Sequence, residues 1–196
     1  MENKNSYIDV MLDIETLGIG IAPIVIQISA VAFDAITGKR LKDGEFNELI
    51  SPASAIKLGL KSEGGTVDWW LTQKPEVINQ VLVKSIQEGL DINKVLIDFA
   101  NYFKKLEDGK KVKFRVWGHG STFDNSILSN VYIMAGQKLP WHYSADSDVR
   151  TLVDLASRLF GFDKKTIKFE GMEHDAIDDC KHQIKLVHEI FKLMVR

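Results

Sequence analysis

The most regular pattern in the sequence is an apolar stripe near its C-terminus. Six apolar residues recur at intervals of 3, 4, 3, 4 and 3 positions: Ile177, Cys180, Ile184, Val187, Phe191 and Met194. This spacing places all six side chains on one face of an α-helix, which must be buried against another element. We therefore predict a C-terminal helix that packs on the rest of the fold.

The first fifty residues have the different periodicity of β-strands. Between residues 7 and 14, Ile8, Val10 and Leu12 alternate with polar positions such as Asp9 and Asp13, and this period of two is typical of a half-buried strand. Apolar and β-branched residues predict a second strand, and a Thr-Gly turn then leads to a third. The predicted meander is antiparallel, with its later strands at Val25–Phe33 and about Glu45–Ile50.

The remaining chain combines helical and strand patterns. Alternation at Val112, Phe114 and Val116 predicts a fourth strand that ends at Gly118, and Thr66 is a candidate N-cap for a short helix. Helices are expected at Ile92–Leu106, from about Asp124 and at Arg150–Phe160. Together these elements predict an α/β fold, with a mixed sheet of an antiparallel meander plus parallel strands flanked by helices. A ribonuclease-H-like fold fits this order, as do other α/β folds.

Length and composition favour one globular domain. The 196 residues, 45% hydrophobic and 27% charged, suffice for one sizeable core, so we predict a single domain over residues 1–196. No apolar run reaches the roughly 20 residues that span a bilayer, and residues 1–6 do not resemble a signal peptide. The single cysteine, Cys180, excludes an internal disulfide. We therefore expect a cytoplasmic protein without a membrane partner.

The net charge is −2 and the isoelectric point is near 6.2. Proteins that coat long nucleic acids are usually strongly basic, because they neutralise many phosphates. Any nucleic-acid contact of this chain should therefore be local. A basic run from Lys110 to Arg115 flanks a strand and is more typical of a solvated face.

Carboxylates at three places in the chain are candidates for a metal site. Asp13 and Glu15 lie two residues apart on the first strand, so both leave the same face of the sheet. The two negative charges repel each other, but their close placement becomes favourable when a divalent cation binds between them. A solvent-facing strand edge is the alternative. Asp124 opens a helix after a glycine-rich turn, where capping of helix amides is an equally simple explanation.

The third place is the start of the C-terminal helix, His174-Asp175-Ala176-Ile177-Asp178-Asp179. Asp179 borders the apolar stripe, where a carboxylate is costly to bury unless it is paired or bound to metal. His174 precedes the helix, and an imidazole is suited to accept a proton from water near neutral pH. An exposed polar helix start remains the alternative for Asp175 and Asp178.

Together these segments resemble the three exonuclease motifs of the DEDDh (DnaQ-like) superfamily. The motifs are Asp13-Ile-Glu15-Thr16, Phe123-Asp124 and His174-x-Ala176-x-x-Asp179. Further segments resemble the branch of phage DexA-type exonucleases and mycobacterial 3′→5′ exoribonuclease-like proteins: Thr66–Gln73, Trp117–Asp124, Pro140-Trp141 and Asp148–Leu152. The resemblance covers nearly the whole chain. His119 departs from it, since the branch pattern has Asn at this position.

The resemblance implies a ribonuclease-H-like 3′→5′ exonuclease that uses two Mg²⁺ or Mn²⁺ ions and releases nucleoside 5′-monophosphates. Asp13, Glu15 and Asp179 would bind the ion that activates water, so Glu15 also counts as catalytic. Asp13, with Asp124 acting largely through water, would hold the second ion near the leaving oxygen. His174 would be the general base.

The resemblance also implies substrate contacts around this site. The partners of the protein would be single-stranded or 3′-overhang DNA or RNA. A homodimer is also compatible with the superfamily. Of two adjacent tryptophans, Trp69 and Trp70, one should be core and the other near the substrate, and we assign Trp70 to the substrate. Arg150 is assigned to a phosphate, with a surface ion pair as the alternative. The full set of predicted contacts is Thr16, Leu17, Gly18, Trp70, Phe123 and Arg150.

Two other classes of protein share part of this pattern. A phosphatase of the haloacid-dehalogenase type also begins with an acidic strand motif. That class requires Asp where this chain has Glu15, and it has no role for His174 and Asp179. A non-catalytic nucleic-acid-binding or scaffold module would be expected to lose acidic ligands, yet all of them are present.

Overall fold

The computed structural model describes residues 7–110 and 112–195. Five strands form one sheet, in the order β3-β2-β1-β4-β5. The strands are β1 (Tyr7–Thr16), β2 (Val25–Phe33), β3 (Arg40–Leu49), β4 (Lys113–Gly118) and β5 (Asp146–Asp148). β1, β2 and β3 pair antiparallel, whereas β4 pairs parallel to β1 and β5 parallel to β4. The predicted mixed sheet with an antiparallel meander is confirmed.

Helices cover both faces of this sheet. They are α1 (Pro52–Lys57), α2 (Gly64–Leu71), α3 (Pro75–Val77), α4 (Lys84–Gln87), α5 (Ile92–Glu107), α6 (Asp124–Met134), α7 (Val149–Phe160) and α8 (Ala176–Met194). A π-helix (Ile78–Val83) joins α3 to α4, and 3₁₀ turns occupy Tyr143–Ala145 and Lys164–Thr166. None of the helices in the described ranges combines the length and apolar character needed to cross a membrane.

The alternation in β1 divides the core between the two faces of the sheet. Val10, Leu12 and Ile14 join a hydrophobic cluster with buried residues of α5 and α6. On the opposite face, Met11 packs in a second cluster with the apolar stripe of α8. Asp13 and Glu15 follow Met11 on this second face. The strand pattern therefore directs both carboxylates toward α8.

The C-terminal helix agrees with the predicted stripe over most of its length. Cys180, Ile184 and Val187 are buried against the sheet. The Cys180 thiol lies 3.6 Å from the carbonyl oxygens of Met11 and Ser29, which are on β1 and β2. Only the end of the stripe departs from the prediction, since Met194 is exposed.

Two predicted boundaries are corrected by the structure. β3 begins at Arg40 rather than about Glu45, because Arg40 pairs with Phe33 and extends the ladder beyond a bulge. Thr66 is not an N-cap: α2 begins at Gly64, and the Thr66 amide already donates to the Glu63 carbonyl in the first turn. Lys111 of the basic run and residues 1–6 lie outside the described residues. Within the run, Lys113 and Arg115 pack over the Tyr7 ring.

Candidate active site

The site begins at the C-terminal end of the central strand β1. Asp13 lies opposite Ser29 and Glu15 opposite Gln27 in the antiparallel ladder with β2. Both carboxylates are partly buried and point toward the first turns of α8. The β4 ladder ends at Met11, so the pairing with β2 sets the backbone position of both carboxylates.

Asp124 reaches the same place from the first residue of α6. Its side chain is buried, and its Oδ1 accepts a hydrogen bond of 3.3 Å from the amide of Ile14 on β1. The turn requires a glycine at the end of β4, since a Cβ on Gly118 would collide with Asn125 Oδ1 and lie 3.1 Å from Asp124 Oδ2. The N-cap of α6 is Phe123, and Asp124 lies in the first turn, where its charge also interacts favourably with the helix dipole.

The start of α8 supplies the remaining two groups. Asp179 Oδ2 accepts a 2.9 Å hydrogen bond from the backbone amide of His174. His174 adopts a left-handed backbone conformation with φ of 66°, which a non-glycine residue adopts only when its surroundings hold it there. Side-chain ligand atoms of Glu15, His174 and Asp179 all lie within 4.8 Å of one another. The structure thus brings the predicted acids and the histidine of three segments into one cluster.

A buried polar network anchors this end of α8. Asp175 is the N-cap of the helix and accepts from the amide of Ile177 and from Gln27 Nε2, the latter at 3.0 Å. Gln27 Oε1 in turn accepts from the Ala176 amide. Asp175 is buried, so the alternative of an exposed helix start is wrong for this residue. Asp178 is half-buried and pairs with Lys181 at 3.0 Å.

The carboxylates perturb each other's protonation. Burial, followed by the charges of Asp124, Glu15 and Asp179, raises the pKa of Asp13 well above its usual range. Burial and the charges of Asp179 and Asp124 do the same to the pKa of Glu15. Burial raises the pKa of Asp124 to about 7 and that of Asp179 to about 6, although backbone amides act in the opposite direction. The cluster is costly to ionise without a cation.

The protein itself supplies little positive charge to this cluster. Among residues 7–110 and 112–195, no Lys or Arg forms an ion pair with Asp13, Glu15, Asp124 or Asp179. The charge of Arg150 lowers the pKa of Asp124, but only as a minor influence. Hard oxygen donors with one imidazole are the ligand set that suits Mg²⁺ or Mn²⁺. The residues present therefore fit divalent cations.

A cavity of about 490 Å³ opens beside Glu15, a volume within the usual range of small-ligand pockets. Its walls come from the end of β1, from α2 and from the residue before α6: Ile14, Glu15, Thr16, Ile19, Glu63, Gly65, Thr66, Trp69 and Phe123. Thr16 and Phe123, both predicted as substrate contacts, thus line one cavity. Leu17 belongs to the hydrophobic core, and Gly18 is buried against Glu63.

The two tryptophans of α2 have the opposite arrangement to the predicted one. Trp70 is fully buried, and its Nε1 donates to the Thr16 carbonyl at 2.9 Å. Trp69 is 40% exposed, lines the cavity and packs edge-on against the His174 ring with 4.9 Å between centroids. Trp70 therefore cannot stack on a base in this structure, and we replace it by Trp69 as the candidate substrate contact.

Gln183 is a part of the site that the sequence motifs did not reveal. Its Nε2 donates to Asp13 Oδ1 at 2.7 Å and holds that carboxylate on the α8 side. Gln183 lies four residues after Asp179, so both occupy one face of the helix. This spacing was the available signal. Arg150 donates from Nη2 to the His119 carbonyl at 2.9 Å and forms no ion pair among the described residues.

With this geometry in place, comparisons with known proteins identify the family. The family model for the 3′-5′ exoribonuclease Rv2179c-like domain matches residues 8–191. The chain belongs to this family. A curated relative, an exodeoxyribonuclease of Enterobacteria phage T4, is 26% identical over 206 residues, covering 91% of this chain and 87% of the relative.

Solved structures agree on the fold. The nuclease domain of 3′hExo, a DEDDh family member bound to rAMP, superimposes with a TM-score of 0.67 at 12% identity. The match covers 98% of this chain and 94% of that one. S. pombe Pop2p in its Mg²⁺- and Mn²⁺-bound form gives a TM-score of 0.54 at 15% identity, covering 93% and 82%. The predictions of a 3′–5′ exonuclease and of a ribonuclease-H-like fold are both confirmed.

Proposed function

We propose that this protein hydrolyses the phosphodiester bond at the 3′ end of single-stranded or 3′-overhang DNA or RNA and releases nucleoside 5′-monophosphates. The observation that carries the proposal is the cluster of Glu15, His174 and Asp179, with Asp13 and Asp124 close enough to raise the pKa of their neighbours and no ion pair from Lys or Arg among the described residues. Such a cluster is unfavourable to ionise alone and favourable around bound cations. Residues 1–196 would form a single exonuclease domain that acts in the cytoplasm.

Two divalent cations, Mg²⁺ or Mn²⁺, complete the site on this proposal. Asp13, Glu15 and Asp179 would hold one ion, and Asp13 with Asp124 would hold the other. Bound cations would supply Lewis acidity and lower the pKa of an attacking water. Gln183 holds Asp13 in place through a 2.7 Å hydrogen bond to Oδ1. The other oxygen of this carboxylate, Oδ2, would remain available to a cation.

His174 is the proton acceptor in the proposed reaction. As water attacks the terminal phosphorus, one of its protons passes to a ring nitrogen of His174. The bond from phosphorus to the 3′ oxygen of the penultimate nucleotide breaks, and that oxygen takes up a proton from solvent, so the shortened strand ends in a 3′-hydroxyl. The contact with Trp69 limits the positions of the His174 ring, and the hydrogen bond from the His174 backbone amide to Asp179 holds its backbone.

The cavity beside Glu15 is the proposed site of the terminal nucleotide. It adjoins the carboxylates, and its Trp69 and Phe123 side chains offer aromatic surfaces to a base. Stacking of a base on an aromatic side chain contributes about 1–3 kcal/mol and depends little on base identity. The family is described as an exoribonuclease, whereas the phage relative is named an exodeoxyribonuclease. The proposal therefore includes both RNA and DNA as substrates.

Product chemistry tests this proposal. DNA and RNA oligonucleotides of matched sequence are hydrolysed in H₂¹⁸O with Mg²⁺ or Mn²⁺, and the masses of the products are determined by mass spectrometry. The expected product is a nucleoside 5′-monophosphate that carries one ¹⁸O, together with an unlabelled strand that ends in a 3′-hydroxyl. Release of 3′-phosphates or of internal fragments would overturn the proposal, and the ratio of rates on the two polymers gives the sugar preference.

A further inference from the structure

A row of polar side chains crosses the sheet on the face that packs against α8. Asp13 on β1 lies opposite Ser29 on β2, and Ser29 lies opposite Asn47 on β3. Directly opposed residues of an antiparallel pair project from the same face of the sheet. Gln27, two residues before Ser29, lies opposite Glu15 and shares this face. Gln27 and Ser29 are buried, so their polar groups need hydrogen-bond partners within the protein.

The Gln27 amide joins this row to the first residues of α8. Its Nε2 donates to Asn47 Oδ1 and to Asp175 Oδ1, each at 3.0 Å. Its Oε1 accepts from the backbone amide of Ala176 at 3.2 Å. An inverted amide would set an acceptor against two acceptors and donors against a donor, so only one orientation satisfies all three partners. The side chain therefore fixes the start of α8 relative to β2.

His174 depends on these contacts because its backbone is strained. Its φ of 66° is left-handed, a conformation that a non-glycine residue keeps only when its neighbours hold it there. On one side, the His174 amide donates to Asp179 Oδ2 at 2.9 Å. On the other side, the chain enters Asp175, the N-cap of α8, whose Oδ1 also accepts from the Ile177 amide. Gln27 binds the residues directly after His174 and so fixes the point from which the imidazole projects.

The spacing between the imidazole and the carboxylates depends on how α8 is held against the sheet. One ligand atom each from Glu15, His174 and Asp179 lies within 4.8 Å of the other two. Glu15 projects from β1, whereas the other two come from α8 and the residues directly before it. Gln27 is opposite Glu15 in the ladder and binds the start of α8. One buried side chain therefore connects both sides of this spacing.

We infer that Gln27 is a positioning residue, which holds His174 at the place where its ring accepts the proton of the attacking water. The inference rests on the proposed function, since it takes His174 as the proton acceptor. Gln27 touches neither substrate nor cation in this role and acts through Asp175 and Ala176. Because a misplacement of about 1 Å can lower a rate by about 10²-fold, loss of these bonds should lower kcat rather than raise KM.

Kinetics of three variants on a short single-stranded DNA at saturating Mg²⁺ test this role. Gln27→Met keeps the length of the side chain and removes all three hydrogen bonds. Gln27→Asn keeps an amide but is one methylene shorter, so it cannot span all three partners, and it serves if a buried Met prevents folding. The matched control is Ser29→Ala. Ser29 Oγ donates at 2.8 Å to the same Asn47 oxygen and, among the described residues, to no group on α8.

We expect kcat to fall about 10–100-fold in both Gln27 variants, while their KM and the kcat of Ser29→Ala stay at wild-type values. When His174→Ala is combined with Gln27→Met, the second substitution should lower kcat no further, because the positioned group is absent. A wild-type kcat in both Gln27 variants would overturn the inference. An equal loss in Ser29→Ala, or a full further loss in the combined variant, would do the same.

A proton NMR measurement that needs no catalysis separates this inference from the proposed function. The His174 and Trp69 rings, whose centroids are 4.9 Å apart, should give a nuclear Overhauser effect in the wild type and in Ser29→Ala. The effect should be weakened or absent in Gln27→Met, and full strength there would overturn the inference. A wild type that hydrolyses neither DNA nor RNA would refute the proposed function, whereas the NMR result would still decide whether Gln27 places the histidine.

Discussion

Replacement of Asp124 by Asn should stabilise the metal-free protein while it abolishes the exonuclease activity. The pKa of Asp124 is raised from 3.8 to about 7 in the folded protein, mainly by burial. The folded state therefore binds the proton more tightly than the unfolded state. The resulting stability is complete below about pH 4 and is lost as the pH rises through 7. Asn has no charge to desolvate, and its Oδ1 can still accept the Ile14 amide.

The size of this effect follows from the pKa difference. Three pKa units correspond to about 4 kcal/mol at 1.36 kcal/mol per unit. The other carboxylates also change protonation when Asp124 is neutralised, so we expect a gain of about 2–4 kcal/mol at pH 8. For a protein of this size 1 kcal/mol shifts Tm by about 2–4 °C. The expected increase in Tm is roughly 5–15 °C at pH 8 and close to zero at pH 4.

Thermal unfolding in EDTA at pH 4, 6 and 8 measures this difference. Asp68→Asn serves as the control, because Asp68 is an exposed carboxylate on α2, where neutralisation should change stability by no more than about 0.5 kcal/mol. A Tm of Asp124→Asn at pH 8 equal to or below that of the wild type would refute the reasoning. An increase of the same size at pH 4 would also refute it, since the gain would then not come from ionisation.

Three further predictions follow from the site. Removal of the side chain in His174→Ala is expected to lower kcat by about 10²–10⁴-fold while Mn²⁺ still raises Tm, and a wild-type kcat would contradict the role of proton acceptor. Trp69→Ala should raise KM for an oligonucleotide by about 5–150-fold through lost stacking. Trp70→Ala should instead lower the free energy of unfolding by about 3–5 kcal/mol. Equal effects of the two substitutions on KM and on unfolding would contradict the assignment of Trp69 to the substrate and Trp70 to the core. Mg²⁺ or Mn²⁺ at 100 times its Kd should stabilise the wild type by about 2.7 kcal/mol, an increase that calorimetry should find abolished in Asp13→Asn.

Features with a local period were predictable from the sequence. The stripe of α8 and the alternation of β1 each repeat over several turns or residues, so the helix, the strand and the face that carries Asp13 and Glu15 follow from spacing alone. The choice between Trp69 and Trp70 did not follow, because adjacent helical residues are equivalent until the rotation of the helix is known. That rotation depends on the hydrogen bond from Trp70 to Thr16, 54 residues away.

Long-range partners explain the other differences. Asp175 resembles an exposed helix start in its local context, yet Gln27 on β2 binds it across 148 residues and buries it. The bulge that lengthens β3 also depends on its neighbour strand. In contrast, Gln183 was recoverable, since its distance of four residues from Asp179 is a local feature of the helix.

Hydrolysis from the 3′ end tests the central claim most directly. Single-stranded DNA and RNA of equal sequence, each labelled at the 5′ end, are incubated with Mg²⁺, with Mn²⁺ and with EDTA, using the wild type and Asp13→Asn. The account predicts a ladder of 5′-labelled products that shortens from the 3′ end with either metal and is absent with EDTA and in the variant. Intact strands with both metals, or wild-type rates in Asp13→Asn, would contradict it and would favour a binding module that has kept the fold without the chemistry.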